Sequence, residues 1–382
     1  MKPYAVYPLM NITPVKAEGC KIWDSNGTEY MDLYGGHAVI SIGHNHPHYT
    51  DRIKSQLDKI AFYSNSVQIP EQDELAQLLG KVSNYEEYDL FLCNSGAEAN
   101  ENALKLASFE TGKNAFISFK GGFHGRTSGA VALTDNPKII APFNASHEVH
   151  ILEMDLEKVE QVFKHHAVAG IIIEGIQGIA GIHTPSSEFL LSLQKLCQQY
   201  QAKLILDEVQ SGYGRTGRFF AHQWVEGLKP DIITIAKGMG NGFPIGGVLI
   251  NPDMEAKFGM LGTTFGGNHL ACVAGLAVLE VLHQEDLCSK AEELGNYLME
   301  KLKSIEGVKE VRGKGLMIGV DLETEAAPIR KALIEKHHIF TGNAATKNTI
   351  RILPPLTITQ EELDIFLEAL PHTLNSTSVQ VN

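Results

Sequence analysis

Residues 169–208 read AGIIIEGIQGIAGIHTPSSEFLLSLQKLCQQYQAKLILDE. Two apolar runs bound this stretch, AGIIIE at 169–174 and KLILDE at 203–208. Both are short and continuous rather than alternating, the pattern of strands buried on two faces. Between them Phe189, Leu193, Leu196 and Tyr200 recur at helical spacing over 187–200 and mark one buried helix face. Strand, helix and strand in this order make a βαβ crossover, which implies parallel strands.

The same pattern repeats outward. Short apolar runs stand at 89–93 (DLFLC), 115–119 (AFISF), 148–152 (EVHIL), 231–236 (DIITIA) and 245–250 (IGGVLI), with helical patterns between several of them. The expectation is an α/β fold whose large domain, 50–275, holds a mostly parallel central sheet covered by helices on both faces. Beyond about residue 275 the pattern changes. A helical stretch from 269 to about 302 is broken near 284–286, and short strands follow at 308–313 and 316–322. A helix near 326–337, a strand in TIRILPPL (349–356) and a helix at 360–370 complete the pattern, and NSTSVQVN (375–382) is expected to fray. At the other end, CKIWDSNGTEYMDL (20–33) has two strand-like pieces about Asn26-Gly27, a hairpin signal. Segments 1–49 and 276–382 are expected to form a smaller α+β domain. The 382 residues suit two domains.

Lys and Arg number 32 against 45 Asp and Glu, a net charge of −13. An acidic surface repels phosphate backbones and anionic lipid, so neither nucleic acid nor membrane is an expected partner. Cys20, Cys93, Cys197, Cys272 and Cys288 are dispersed without CxxC spacing, as in reduced, intracellular proteins. No apolar run has signal-peptide or membrane-span length, so a cytoplasmic protein is expected.

Four pieces carry chemistry. Lys237 follows the strand DIITIA and precedes GMGNGFPIGG. Strand carboxyl ends are where open α/β sheets bind ligands, and desolvation there turns an ammonium towards a nucleophilic amine. Asp207 closes KLILDE, where a carboxylate needs a charged or hydrogen-bonding partner. A protonated pyridine nitrogen is such a partner, and holding it protonated makes a pyridoxal ring an electron sink. In SGAEANENALKLA (95–107), Ser95 and Glu98 fit a capping box, and Ala99, Ala103, Leu106 and Ala107 share a face. Gly96 permits close backbone approach, and the helix N-terminus offers a phosphate site. GTTFGGNH (262–269) sets Thr263 and Thr264 among glycines before another helix. Singly each piece reads as a surface lysine, a capping aspartate, a capped helix or a glycine turn; together and in this order they point to one cofactor site. His44, His46 and His48 in HNHPH alternate as metal ligands can, but Pro47 and the lack of nearby acids favour loop histidines, and no metal is expected.

The motifs NSGAEANENALK (94–105), GGFHGRT (121–127), LDEVQSGYGRTG (206–217), ITIAKGMGNGFPIGG (233–247) and TTFGGN (263–268) resemble those of the class III (ω-) aminotransferases. That family is pyridoxal-phosphate-dependent, with transferase fold type I. The likeness runs from about residue 4 to about 370, and within the family it points to the acetylornithine and succinylornithine group. It implies that Lys237 joins the cofactor covalently and shuttles the proton, and that Asp207 meets the ring nitrogen. It puts Phe123 and Val209 on the two ring faces, Gln210 at the ring hydroxyl, and Ser95, Gly96, Ala97 and Glu208 among the cofactor contacts. Thr264 would reach the phosphate in the neighbouring subunit of a homodimer with shared sites. Arg126 would clamp the α-carboxylate of an N-acylornithine, Arg351 a carboxylate of glutamate or 2-oxoglutarate, and Thr263 and Asn65 would lie on the substrate side. The implied reaction moves the ω-amino group to 2-oxoglutarate, giving an N-acylglutamate semialdehyde and glutamate in arginine biosynthesis. Ornithine δ- and 4-aminobutyrate-type transaminases, and a cofactor-binding protein without turnover, are the alternatives. Two positions depart from the family pattern. EGIQGIAG (174–181) carries Ile179 where relatives have an acid that pairs with the second arginine, and His269 stands where they have proline. A succinyl group brings its own carboxylate to an arginine left unmasked.

Overall fold

The computed structural model describes residues 1–378. The chain opens with β1 (Pro14–Glu18), β2 (Lys21–Asp24) and β3 (Glu29–Asp32), an antiparallel meander. Gly27 adopts φ 83° in the turn between β2 and β3. There the Asp24 carboxylate accepts the N–H groups of Asn26 (2.8 Å) and Thr28 (2.9 Å), so the hairpin read from Asn26-Gly27 forms.

Seven strands follow: β4 (Asp89–Cys93), β5 (Ala115–Phe119), β6 (Val149–Leu152), β7 (Val168–Glu174), β8 (Lys203–Asp207), β9 (Ile232–Ile235) and β10 (Gly246–Ile250). They make one sheet in the order β4-β10-β9-β8-β7-β5-β6. The five strands from β9 to β6 are parallel, whereas β10 runs antiparallel to both β9 and β4. Each strand lies within a residue or two of its expected run, because continuous apolar runs flanked by polar turns leave little choice of register. Between β7 and β8 the helix Ser187–Gln199 buries Phe189, Leu190, Leu193 and Cys197 against the sheet, with Ser186 capping the Phe189 N–H. On the other face the helix Gly96–Thr111 buries Ala99, Ala103, Leu106 and Ala107. Its small residues let it lie close over the sheet.

The C-terminal strands are β11 (Val308–Lys314), β12 (Met317–Leu322), β13 (Ile339–Phe340), β14 (Gly342–Asn343) and β15 (Thr349–Ile352). A second sheet has the order β11-β12-β15-β14, while β13 crosses to pair in parallel with β3. Both chain ends thus share backbone hydrogen bonds. Helices His269–Gln284 and Leu287–Lys303 meet at Asp286, φ 50°, where the break at 284–286 was expected. One apolar core runs from Leu33 and Ile42 through Ile233, Ile245 and Leu282 to Leu316, Ile350 and Phe366, so the small sheets are packed onto the large one. The expected fraying is corrected in part. The last helix runs Gln360–Ser378 and takes in the first four residues of NSTSVQVN, carried by Leu363, Phe366, Leu370 and Leu374 on its buried face; residues 379–382 lie outside those described.

Candidate active site

β7, β8 and β9 end side by side, so the residues closing them converge. Glu174 and Asp207 are in register across the β7–β8 pair, and Lys237 lies two residues beyond β9. They line a cavity of about 360 Å³ with Ser95, Gly96, Ala97, Asn100, Phe123, His124, Arg126, Val209 and Gln210. Nine of the residues picked from the sequence are therefore brought together: Ser95, Gly96, Ala97, Phe123, Arg126, Asp207, Val209, Gln210 and Lys237.

The helix Gly96–Thr111 aims its N-terminus at the cavity. Ser95 Oγ accepts the Glu98 N–H at 3.2 Å. The reciprocal bond of the expected box lands one residue upstream: Glu98 accepts the N–H (2.6 Å) and side-chain amide (3.0 Å) of Asn94, which leaves the cap residue's own N–H out of the exchange. The N–H groups of Gly96 and Ala97 meet no acceptor among the described residues, so two orphan donors and the helix dipole face the cavity. A Cβ on Gly96 would come within 2.6 Å of Val209 Cγ1. Glycine is required there for the helix to lie against Val209.

Asp207 is 3% exposed. Its Oδ2 accepts Asn100 Nδ2 and His124 Nδ1, both at 2.8 Å, and Oδ1 accepts the Val209 N–H at 3.0 Å. His124 thus donates from Nδ1, and Asn100 is itself fixed by Thr234 Oγ1 at 2.6 Å. Oδ1 keeps acceptor capacity for one more donor. Glu174 accepts the N–H groups of Phe123 (3.0 Å) and Gly178 (2.8 Å), and burial pushes its carboxyl above the usual range. Lys237 has φ 45°, a left-handed conformation costly for a residue with a Cβ. Burial lowers the pKa of its amine from the ordinary lysine value, against the opposing pull of Asp207 and Glu174. No side-chain partner holds that amine among the described residues.

Arg126 is exposed at the cavity mouth and makes no ion pair among the described residues. Arg351 on β15 is 0% exposed. It donates to Asn343 O and to Gln210 Oε1 (3.2 Å), and its guanidinium carbon lies 5.9 Å from the Tyr34 ring centre. No carboxylate pairs with it within 4 Å among the described residues, and burial lowers its pKa. It adjoins the cavity through Gln210 rather than lining it. Gln210 also donates to His37 O at 3.0 Å, and a Cβ on Gly178 would meet its Oε1. Ile179, at the departure from the family pattern, accepts the Ala345 N–H at 2.8 Å and so touches the same 343–345 segment as Arg351.

The remaining expected residues lie elsewhere. Glu208 is turned from the cavity: it accepts Ser211 Oγ, the N–H groups of Ala221 and His222, and His222 Nδ1. Adjacent residues on an extended chain point oppositely, so Asp207 inward sends Glu208 outward. Thr263 Oγ1 accepts Asn94 Nδ2 (3.3 Å) and the Gly266 N–H (3.1 Å), and Asn65 donates to Gly266 O at 2.9 Å. Both brace the rim loop, on which Thr264 is exposed. His44, His46 and His48 do not converge; they pair separately with Asp32, Glu285 and Glu280. His269 opens its helix behind the Asn268 cap. Sequence reasoning missed Glu174, His124 and Asn100. Glu174 closes AGIIIE just as Asp207 closes KLILDE, so the same signal was available. His124 and Asn100 carried none, since each serves Asp207 from another element.

The chain matches the family described as aminotransferase class-III over residues 4–374. It is a class III aminotransferase. It is 40% identical over 368 residues to the acetylornithine aminotransferase of Archaeoglobus fulgidus, covering 95% of this chain and 96% of that protein. The enzyme of the same name from Bacillus subtilis is also 40% identical, with 94% of each covered. Among solved structures, the ornithine aminotransferase of Toxoplasma gondii superposes with a TM-score of 0.90 at 28% identity, covering 99% of this chain and 93% of that one. The acetylornithine aminotransferase of Elizabethkingia anophelis does so with 0.85 at 28% identity, covering 98% and 96%. Class III aminotransferases work with pyridoxal phosphate, and the cavity fits it. It offers orphan N–H donors for a phosphate, an unfilled buried carboxylate oxygen for a protonated ring nitrogen, and an unpartnered amine. Phe123 and Val209 supply apolar faces.

Proposed function

We propose that this aminotransferase moves the ω-amino group of an N-acylornithine to 2-oxoglutarate, giving an N-acylglutamate semialdehyde and glutamate, a step of arginine biosynthesis. The observation that carries the reading is Lys237 sharing one cavity with Asp207, with Arg126 at its mouth and Arg351 adjoining it through Gln210, neither arginine in an ion pair among the described residues. The 40%-identical relatives bearing the acetylornithine name support the substrate class. When bound, pyridoxal phosphate supplies an aldehyde that takes up amines and a ring that accepts the electron pair of the broken C–H bond. Lys237, inclined by burial to the neutral amine, takes the proton from the carbon bearing the ω-amine and would deliver it to the carbon through which the cofactor took up that amine, which leaves the donor carbon at the aldehyde level. Asp207, fixed by Asn100 and His124, keeps the ring nitrogen protonated. Gly96 and Ala97 hold the phosphate, and Phe123 and Val209 exclude water from the ring faces. Arg126 holds the α-carboxylate of the donor, and Arg351 holds a carboxylate of the acceptor.

Arg351 also favours one acyl group over another. A buried guanidinium without a counter-ion is costly, and a succinyl carboxylate would relieve it where an acetyl group would not. The chain works as a homodimer in the cytoplasm on this reading. Exposed Phe62 and Phe265 pack beside each other at the rim loop and supply an apolar surface for the partner. Among the described residues no helix is long and apolar enough to cross a membrane. The test is multiple-turnover glutamate formation from 2-oxoglutarate with N-acetylornithine, N-succinylornithine, ornithine and 4-aminobutyrate. Preference for either unacylated donor would refute the assignment; no turnover with any donor would leave only a cofactor-binding protein.

A further inference from the structure

Far from the cavity, at the β6 edge of the large sheet, three ligand-type side chains meet. Glu148 precedes β6, His150 lies on it, and His166 caps the helix Leu156–His165. Residues two apart on a strand share a face, so Glu148 and His150 point the same way. The helix end brings His166 to them. Glu148 Oε1 lies 2.9 Å from His166 Nδ1 and 4.0 Å from His150 Nε2. All three ligand atoms fall within 4.8 Å of one another, and the imidazole centres are 4.3 Å apart. His150 Nε2 is buried and makes no hydrogen bond, a cost that a metal bond would remove. Ligands of a tetrahedral ion at ~2.0–2.1 Å stand roughly 3.3–3.5 Å apart, so small side-chain rotations close the set.

We propose that Glu148, His150 and His166 bind one zinc ion, with water in the fourth position. Two imidazoles and a carboxylate suit a borderline divalent cation better than a hard one. The ion would tie the edge strand to the turn that leads into β7. β5, β7 and β8 separate it from β9, the strand that leads to Lys237, so the role is structural and turnover should not depend on it.

The test uses cofactor-loaded, metal-stripped enzyme titrated with zinc chloride in a calorimeter, and melted with and without zinc. Wild-type enzyme should bind one zinc per chain at this site and melt higher with it. His150→Ala and His166→Ala should each weaken that binding by ~10-fold or more, since disturbing even the outer shell of a site costs that much. Glu148→Gln, which keeps the shape, should weaken it too. His46→Ala, at an unrelated His–Glu pair, should leave it intact. The cofactor's visible absorption and unchanged turnover would certify that the variants fold. Binding indistinguishable between wild type and both histidine variants, or no binding by any, overturns the proposal.

Discussion

At the scale of single residues the site is organised around one amine. Lys237→Ala should abolish covalent retention of the cofactor and lower multiple-turnover glutamate formation by at least ~10³-fold. Borohydride trapping followed by peptide mass analysis would show it; a label elsewhere in the chain would unseat Lys237. The same burial has a thermodynamic signature in the apoprotein. The amine's folded pKa is depressed by desolvation, so between that value and the ordinary ~10.4 the unfolded chain binds a proton that the folded chain does not. Stability must therefore rise with pH through that window, and below it the penalty is fully present. Lys237→Met removes the penalty, so its stability advantage over wild type should shrink as pH rises from neutral towards 10. Urea unfolding across that range measures it, and a constant difference would mean the amine is not desolvated. Lys237 and Asp207 could be picked from sequence because each ends an apolar strand, where a charge is conspicuous. Arg351 could be placed near the site only through the family likeness, because TIRI gives no hint that its guanidinium folds back towards Gln210.

At the scale of elements, the helix Gly96–Thr111 and the 174–181 loop divide the work of cofactor and substrate. The helix is cut to fit: Gly96→Ala would drive a methyl into Val209, so cofactor affinity should fall about 10-fold or more while the apoprotein keeps most of its stability. Equilibrium dialysis with pyridoxal phosphate reads the first and thermal unfolding the second. Ser95→Ala tests the opposite balance, since losing the cap should cost about 1 kcal/mol of stability. In the loop, Ile179→Glu would put an acid beside the segment that Arg351 binds. A masked arginine should raise KM for N-succinylornithine by about 10–100-fold, the worth of one or two charge-assisted hydrogen bonds. N-acetylornithine should change little, and equal effects on both donors would remove Arg351 from acyl selection. These elements were legible to different degrees. The seven strands of the large sheet follow from continuous apolar runs, and the helices between them from their period. β13 and β14, two residues each, escape any periodicity, because they exist only through partners more than 300 residues away for β13 and in β15 for β14. For Glu174 the strand-end signal was as visible as for Asp207, but only the register between the two shows that both carboxylates share the sheet's mouth.

At the scale of the molecule, the rim loop stands outside the cavity lining of its own chain. Thr264 is exposed and absent from the cavity lining, and the exposed ring of Phe265 packs beside Phe62, 5.4 Å between centres. If the loop completes the partner's phosphate site, two defective chains should repair each other. Lys237→Ala destroys the chain's own site and leaves its rim loop sound. Thr264→Glu sets a negative charge against the partner's phosphate and leaves the chain's own Lys237 sound. A mixed dimer then holds one site with both defects and one with neither. Random reassortment of equal amounts makes about half of all dimers mixed, so about a quarter of the sites are intact. The two variants, each nearly inactive alone, should recover about that fraction of wild-type turnover after co-unfolding and refolding together. The Thr264→Glu protein should also need more pyridoxal phosphate for half-saturation, since like charges now meet at the phosphate. A mixture no more active than the average of its parts would mean that each chain closes its own site, and that the rim loop faces solvent.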